Sequence, residues 1–270
     1  MPKITASEAR SILTPQKVGA LSGSYSYSLN PYRGCAFGCS YCYAKEFTHD
    51  DQLEASWGKW VRPKINAPEL VYKSSRKLAF ASVFISSATD PYQPIERQYR
   101  LTRSCLEVML SMFPGPSKIH IHTRSPFVVD DIELLQAFGD RLEVYMSITT
   151  DNDEFRKIFE PHAPSIHKRL EALHALRSAG IITGASVSPL LPCNPYNLAM
   201  LLSGVAERVY IDTIRFPKAK GYGLELYRQH YFDRFLDSSY FKSVVEAFVD
   251  TLGTERVHWR SRLEIDKVRS

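Results

Sequence analysis

Along most of the chain, short apolar runs alternate with longer stretches in which apolar residues recur every three to four positions, the periods of strands and helices respectively. Ala81–Ser87 (ASVFISS) is an apolar run of strand length. Lys118–Thr123 (KIHIHT) alternates strictly, and Leu142–Ile148, Ile181–Leu190 and Arg208–Ile214 supply three further strands. Ser24–Leu29 supplies a first. Helical spacing falls between them, at Ala44–Phe47, Ala67–Leu78, Ile95–Met112, Val129–Phe138, Ser165–Ala179 and Asn197–Gly204. Gly180 is the expected stop of the helix before it.

Six strands with helices between them predict an α/β fold built on a parallel sheet with right-handed crossovers. A closed eight-stranded barrel needs about 250 residues in its core alone. The expectation is therefore a partial (β/α)6 TIM-like barrel over residues 24–215. Residues 1–23 are polar and aperiodic and read as an N-terminal arm. Residues 216–270 read as a C-terminal helical extension packed on the barrel, with an aromatic-rich stretch at Tyr222–Leu252.

Composition refines this picture only slightly. A hydrophobic share of 44% and a charged share of 23% suit a soluble globular chain, and 270 residues can bury a core without disulfides or metal. The net charge of +5 permits a nucleic-acid partner without demanding one. The N-terminus lacks the apolar run of a signal peptide and no stretch reaches membrane-spanning length, so the expected setting is cytoplasmic, with no membrane partner. In a reducing compartment, five cysteines, three of them crowded into eight residues, point to metal or redox chemistry.

Those three lie in NPYRGCAFGCSYCYA, Asn30–Ala44, directly after the first strand. Cys35, Cys39 and Cys42 are spaced C-x3-C-x2-C. Three thiolates so close can each bind one iron of a 4Fe-4S cubane and leave the fourth iron open, and soft thiolate is the ligand such clusters take. Gly34 and Gly38 let the backbone wrap without Cβ clashes. The competing reading is a zinc site in a non-catalytic, nucleic-acid-binding module, with His49 as a fourth ligand. Zinc ligands usually come as two separated short-spaced pairs, and a second pair is missing here.

The loop resembles the signature of the radical S-adenosylmethionine superfamily, including the aromatic Tyr41 before the third cysteine. Further segments, SSATDPYQPIERQYRLTR, HTRSPFVVDDIELL, SITTDNDEFRKIFEPHAPSIHKRLEALHALRSAG and VSPLLP, look like those of the members related to spore photoproduct lyase. The resemblance implies that the open iron chelates S-adenosylmethionine. It also implies that one electron from a flavodoxin- or ferredoxin-type donor cleaves the sulfonium, and that the resulting 5′-deoxyadenosyl radical abstracts a substrate hydrogen. Tyr41 would then lie against the adenine. Ser87 and Asp90 after the second strand, Arg124 after the third, and Ser147, Thr149 and Thr150 after the fourth would approach the cofactor. Relatives usually carry lysine at the position of Arg124; arginine keeps the charge and adds a fork.

One departure matters for the reaction. Spore photoproduct lyase, which repairs a thymine lesion in DNA, carries its essential cysteine hydrogen donor three residues before the aspartate, where this chain has Ser87. A serine O–H is too strong a bond to serve in that way, which weakens any claim to repair by the same route, while a DNA-lesion lyase stays the alternative to a substrate of another class. Cys193, after the fifth strand, is a candidate replacement donor or an incidental loop cysteine. Tyr92, with Gln93 and Glu96, is a candidate on the substrate side. Cys105 fits a core position, and His120 and His122 share one strand face. The tail segment YGLELYRQHYFDRF could stack bases, although helix-spaced aromatics more often fill a core.

Overall fold

In the computed structural model, which describes residues 2–17, 21–213 and 223–259, the six expected strands are all present and run parallel. They are β1 (Tyr27–Leu29), β2 (Ser82–Ile85), β3 (Lys118–Thr123), β4 (Leu142–Ser147), β5 (Ile182–Val187) and β6 (Arg208–Ile211), each paired with the next. The sheet is open, as a partial barrel requires: an antiparallel strand, Leu13–Pro15, borders β1, and β7 (Val257–Trp259) runs parallel beside β6. The expected strand end at Ile214, residues 18–20 of the arm, and residues 216–222 and 260–270 of the C-terminal extension lie outside the described residues.

Strand periodicity divides the sheet into two chemically distinct faces. On the helix-covered face, Val83, Ile85, Ile119, Ile121, Val144, Met146, Ala185, Val187, Val209 and Ile211 are fully buried. On the concave face the register sets Phe84 beside His120, His122 beside Tyr145, and Ser147 beside Ser186. The floor of this face is an aromatic stack: Phe84 lies 4.7 Å from His120, which lies 4.6 Å from Tyr145. Tyr145 covers β5 so closely that a Cβ on Gly184 would run into its ring.

Helices Ile166–Ser178, Pro195–Ser203 and Ser238–Leu252 start on the side-chain caps Ser165, Asn194 and Asp237. The helix expected over Ile95–Met112 is broken into Glu96–Tyr99 and Leu101–Leu110 at Arg100, whose φ is 51°. The break has a cause in the sequence. The Glu96 carboxylate turns back to accept from the backbone N–H of Thr102 (3.1 Å) and of Arg103 (3.0 Å), capping the second helix itself.

The arm is stitched into the fold. Lys3–Ile4 pairs with Trp60–Pro63, which also pairs with Tyr32–Arg33, so a small second sheet holds the entry to the cysteine loop. In the C-terminal extension Tyr227 is fully buried, and Phe232 and Phe235 pack on Phe155, with ring centroids 5.0 and 6.4 Å away. Tyr227 is core and the half-buried Phe232 and Phe235 pack against the same cluster, as their spacing favoured, while Tyr231 and Trp259 are exposed. Among the described residues no helix is long and apolar enough to cross a membrane.

Candidate active site

The cysteine loop closes over the C-terminal end of the barrel and is held from three sides. From β2, Ala88 N–H donates to the Asn30 side chain (2.9 Å), and Gln93 ties both Gly34 and Ala36 (3.3 and 2.9 Å). From the small sheet, Trp60 packs on Gly34, whose φ is +79° and whose hypothetical Cβ would sit 2.6 Å from the indole ring. From the helix after β4, the Phe159 carbonyl accepts from the Ser40 N–H (2.9 Å). Glycine is needed at Gly34 for its left-handed backbone and for this approach.

Within the loop, Cys35 and Cys39 are buried, Cys42 is half-buried, and all three are free thiols. Burial pushes all three up, and Cys35 and Cys39 sense the charge of their neighbouring cysteines. His49 is exposed, with its backbone in the left-handed region, and does not join them. Among the described residues no three Cys, His, Asp or Glu side chains converge as the shell of a single ion.

Above the loop, the strand ends contribute a polar rim. Asp90 accepts from Thr123 Oγ1 (2.6 Å), the Arg124 N–H (2.8 Å) and the Tyr92 N–H (3.0 Å), so its carboxylate locks the end of β2 to the end of β3. Ser87 is half-buried and receives Asn30 Nδ2 (3.4 Å). His122 holds Ser147 Oγ (2.9 Å), and burial, with His120 and Arg124 nearby, pushes the imidazole down to about 3, so it is neutral.

The strongest electrostatic feature is Glu160, which the sequence reading did not single out. It is fully buried at the end of helix Asp153–Phe159 and pairs with Arg169, also fully buried. It accepts from the Tyr41 hydroxyl and from Thr149 Oγ1 (3.0 Å), and Arg124 Nε stands 3.9 Å away. Burial alone would raise this carboxyl; Arg169, Arg124 and Tyr41 outweigh it and hold it down to about 2. One anion thereby joins the cysteine loop, the end of β4 and the Arg124 side chain.

The other candidates divide. Tyr92 is 1% exposed and its hydroxyl donates to Asp131 (3.1 Å), which places it in the core beneath the loop and away from the rim. Gln93 and Glu96 likewise brace the loop from below, Glu96 accepting the Tyr32 hydroxyl. Cys193 lies beyond β5, where Leu191 N–H bonds the Thr149 carbonyl (3.0 Å). Its thiol, pushed up to about 12 by burial, is covered by the Tyr240 hydroxyl at 3.1 Å. Cys105 is core.

Burial raises the Glu96 carboxyl to about 7, against the pull of Tyr32 and the two capping N–H groups. A raised acid favours its neutral form in the fold, so its stabilisation is present below the unfolded value near 4.5 and is lost as pH rises through 7. This group should therefore cost about 3 kcal/mol of unfolding free energy between pH 4.5 and 7.5. Urea unfolding of the wild type and Glu96→Gln across that range checks it; parallel pH profiles would refute it.

Five buried side-chain polar atoms have no formed hydrogen bond among the described residues: Ser40 Oγ, Trp57 Nε1, Ser86 Oγ, Thr89 Oγ1 and Arg124 Nε. Ser40 lies in the cysteine loop, Arg124 and Trp57 act on its Tyr41 and Cys42, and Ser86 and Thr89 follow β2. Buried polar atoms are rarely left unpaired.

A sequence model of the Radical SAM superfamily matches residues 29–195. The chain is 32% identical over 185 residues to an uncharacterized protein of Methanocaldococcus jannaschii, covering 68% of this chain and 66% of that one. It is 27% identical over 169 residues to a protein of Pseudomonas phage M6 named radical SAM Nalpha-GlyT isomerase, covering 60% of this chain and 32% of that one. The chain spans about half to two thirds of the length of its more similar known relatives. Its fold matches spore photoproduct lyase, in a double-mutant form with bound AdoMet and dinucleoside spore photoproduct. The TM-score is 0.66 at 15% identity, over 95% of this chain and 81% of that one.

Proposed function

The chain belongs to the Radical SAM superfamily, and on that premise we propose that Cys35, Cys39 and Cys42 hold a 4Fe-4S cluster whose open iron takes S-adenosylmethionine for hydrogen abstraction from an organic substrate. Membership makes it an enzyme of radical chemistry. When bound, the cluster supplies the electron that cleaves the sulfonium reductively and so yields a 5′-deoxyadenosyl radical.

The observation that carries this reading is three free thiols in one loop with unpaired buried polar atoms in it and on side chains that act on it. Arg124 is the cation among them. Its Nη2 reaches the Tyr41 hydroxyl (3.4 Å), while Nε, 3.9 Å from Glu160, remains available to a carboxylate. Ser86 Oγ and Thr89 Oγ1 offer hydroxyls to the polar groups of the same ligand. Asp90 has its oxygens spent on Thr123, Arg124 and Tyr92, and therefore acts by holding the Arg124 backbone in place. Glu160 fixes Tyr41 and Thr149 at the opposite edge. The buried loop, closed by Trp60 and Gln93, keeps water from the thiolates.

Ser87 separates this reading from lesion repair by the route of spore photoproduct lyase, because a hydroxyl cannot take the place of a thiol donor. Anaerobic reconstitution should yield about four iron and four sulfide per chain. With dithionite and S-adenosylmethionine the product should release 5′-deoxyadenosine, and Cys39→Ala should abolish both signals. One zinc per chain with no sulfide, or survival of either signal in Cys39→Ala, would overturn the proposal.

A further inference from the structure

Two tryptophans stand beside the cysteine loop, and their indole N–H groups are treated differently. Trp60 Nε1 donates to the Leu53 carbonyl at 2.9 Å. Trp57 Nε1 is buried without a formed hydrogen bond. The Trp57 ring is not free to seek one elsewhere: it packs edge-on against Trp60, with centroids 5.8 Å apart and planes at 84°. Its neighbour Gly58 lies against Gly38 of the cysteine loop, so close that a Cβ on Gly58 would fall 2.8 Å from the Gly38 Cα. The backbone around Trp57 is thus pinned to the loop between Cys35 and Cys39.

Trp57 packs in the apolar group that includes Cys42. Its N–H acts on the Cys42 sulfur, as the Ala44 N–H does, although no formed hydrogen bond joins the two. A thiolate is a far stronger acceptor, and charge-assisted hydrogen bonds are the shorter and stronger ones.

We propose that Trp57 is a positioning residue for the cluster: its indole N–H donates to the Cys42 thiolate and holds the reduction potential above the value the buried thiolates alone would set. This rests on the cluster reading given above. Reduction adds an electron to a cluster whose charge is partly carried on the cysteine sulfurs. An N–H dipole directed at one of those sulfurs stabilises the reduced form more than the oxidised form, and hydrogen bonds to sulfur are a recognised determinant of cluster potential. The Trp57 ring also excludes water from that side, so a single side chain sets both dielectric and dipole.

The test is a redox titration of the reconstituted protein without S-adenosylmethionine, followed by the electron paramagnetic resonance of the reduced cluster. Trp57→Phe keeps an apolar ring and removes the N–H. It should make reduction harder by up to tenfold in the equilibrium constant, about 59 mV for one electron. An unchanged or higher potential, at normal iron and sulfide content, overturns the inference. Should the variant fail to hold its cluster, the wild type decides alone. Protein labelled with 15N in its indoles should show a nitrogen coupling to the reduced cluster, and its absence overturns the role of Trp57. Failure of the wild type to assemble any iron and sulfide would instead refute the cluster reading itself.

Discussion

Arg169→Met should destabilise the protein by about 3–5 kcal/mol, the usual cost of removing one partner from a buried ion pair. Arg169 and Glu160 are both fully buried, and Arg169 also donates to the carbonyls of Pro164 (3.0 Å) and Ser147 (2.9 Å). Methionine fills much of the volume but leaves Glu160 facing only Tyr41, Thr149 and the looser Arg124. The anion must then be protonated or drag Arg124 toward it. Pairing Arg169→Met with Glu160→Leu removes the stranded charge, so the double variant should be more stable than Arg169→Met alone, a coupling that a double-mutant cycle reads directly. Urea unfolding of all three variants is the measurement. A loss below about 1 kcal/mol in Arg169→Met would show that the pair is not the anchor described here.

This pair also shows what could and could not be read from the sequence. The barrel was readable because its evidence is local: each of β2 to β6 carries its own short apolar or alternating run, and the turn to helix follows within a few residues. The cysteine spacing is local too. Glu160 belongs to a different kind of information, since its contact with Tyr41 spans 119 positions. A trace of it was nevertheless present. Ile166, Arg169, Leu173 and Leu176 fall on one helical row, all buried, and an arginine within an apolar row announces a buried anion somewhere nearby. The break at Arg100 was invisible for the opposite reason. The amphipathic pattern continues through it, and only the return of the Glu96 carboxylate to Thr102 and Arg103 ends the first turn. β7 is three residues long with two of them exposed, too short to carry a period.

The placement of Tyr92 was hidden on similar grounds. Proximity in sequence to Asp90 suggested the rim, yet the chain turns at 91–95, so spacing from Asp90 does not set the direction of the Tyr92 ring. The Asp90 carboxylate takes the Tyr92 N–H, and the Tyr92 ring turns beneath the loop to Asp131, itself held by Arg103 at 2.6 Å.

Arg124 is where cofactor recognition can be separated from architecture. Its backbone N–H is fixed by Asp90 and its Nη2 meets Tyr41, while Nε is buried without a formed bond. Two roles are compatible with this placement: a second counter-ion for Glu160, or the cation that receives the carboxylate of S-adenosylmethionine. Distance favours the second. Arg169 is bonded directly to Glu160, whereas Arg124 Nε stands off at 3.9 Å, so Glu160 is already neutralised. Arg124→Ala should then leave iron and sulfide content unchanged and weaken S-adenosylmethionine binding to the oxidised protein about 10- to 100-fold, the equivalent of about 1.5–3 kcal/mol for a hydrogen bond to a charged group. Arg124→Lys restores the charge without the fork and should recover much of that loss, which a packing role would not predict. Equilibrium binding measured on the reconstituted variants decides between the two: undiminished affinity in Arg124→Ala, with lowered stability instead, would assign the guanidinium to Glu160.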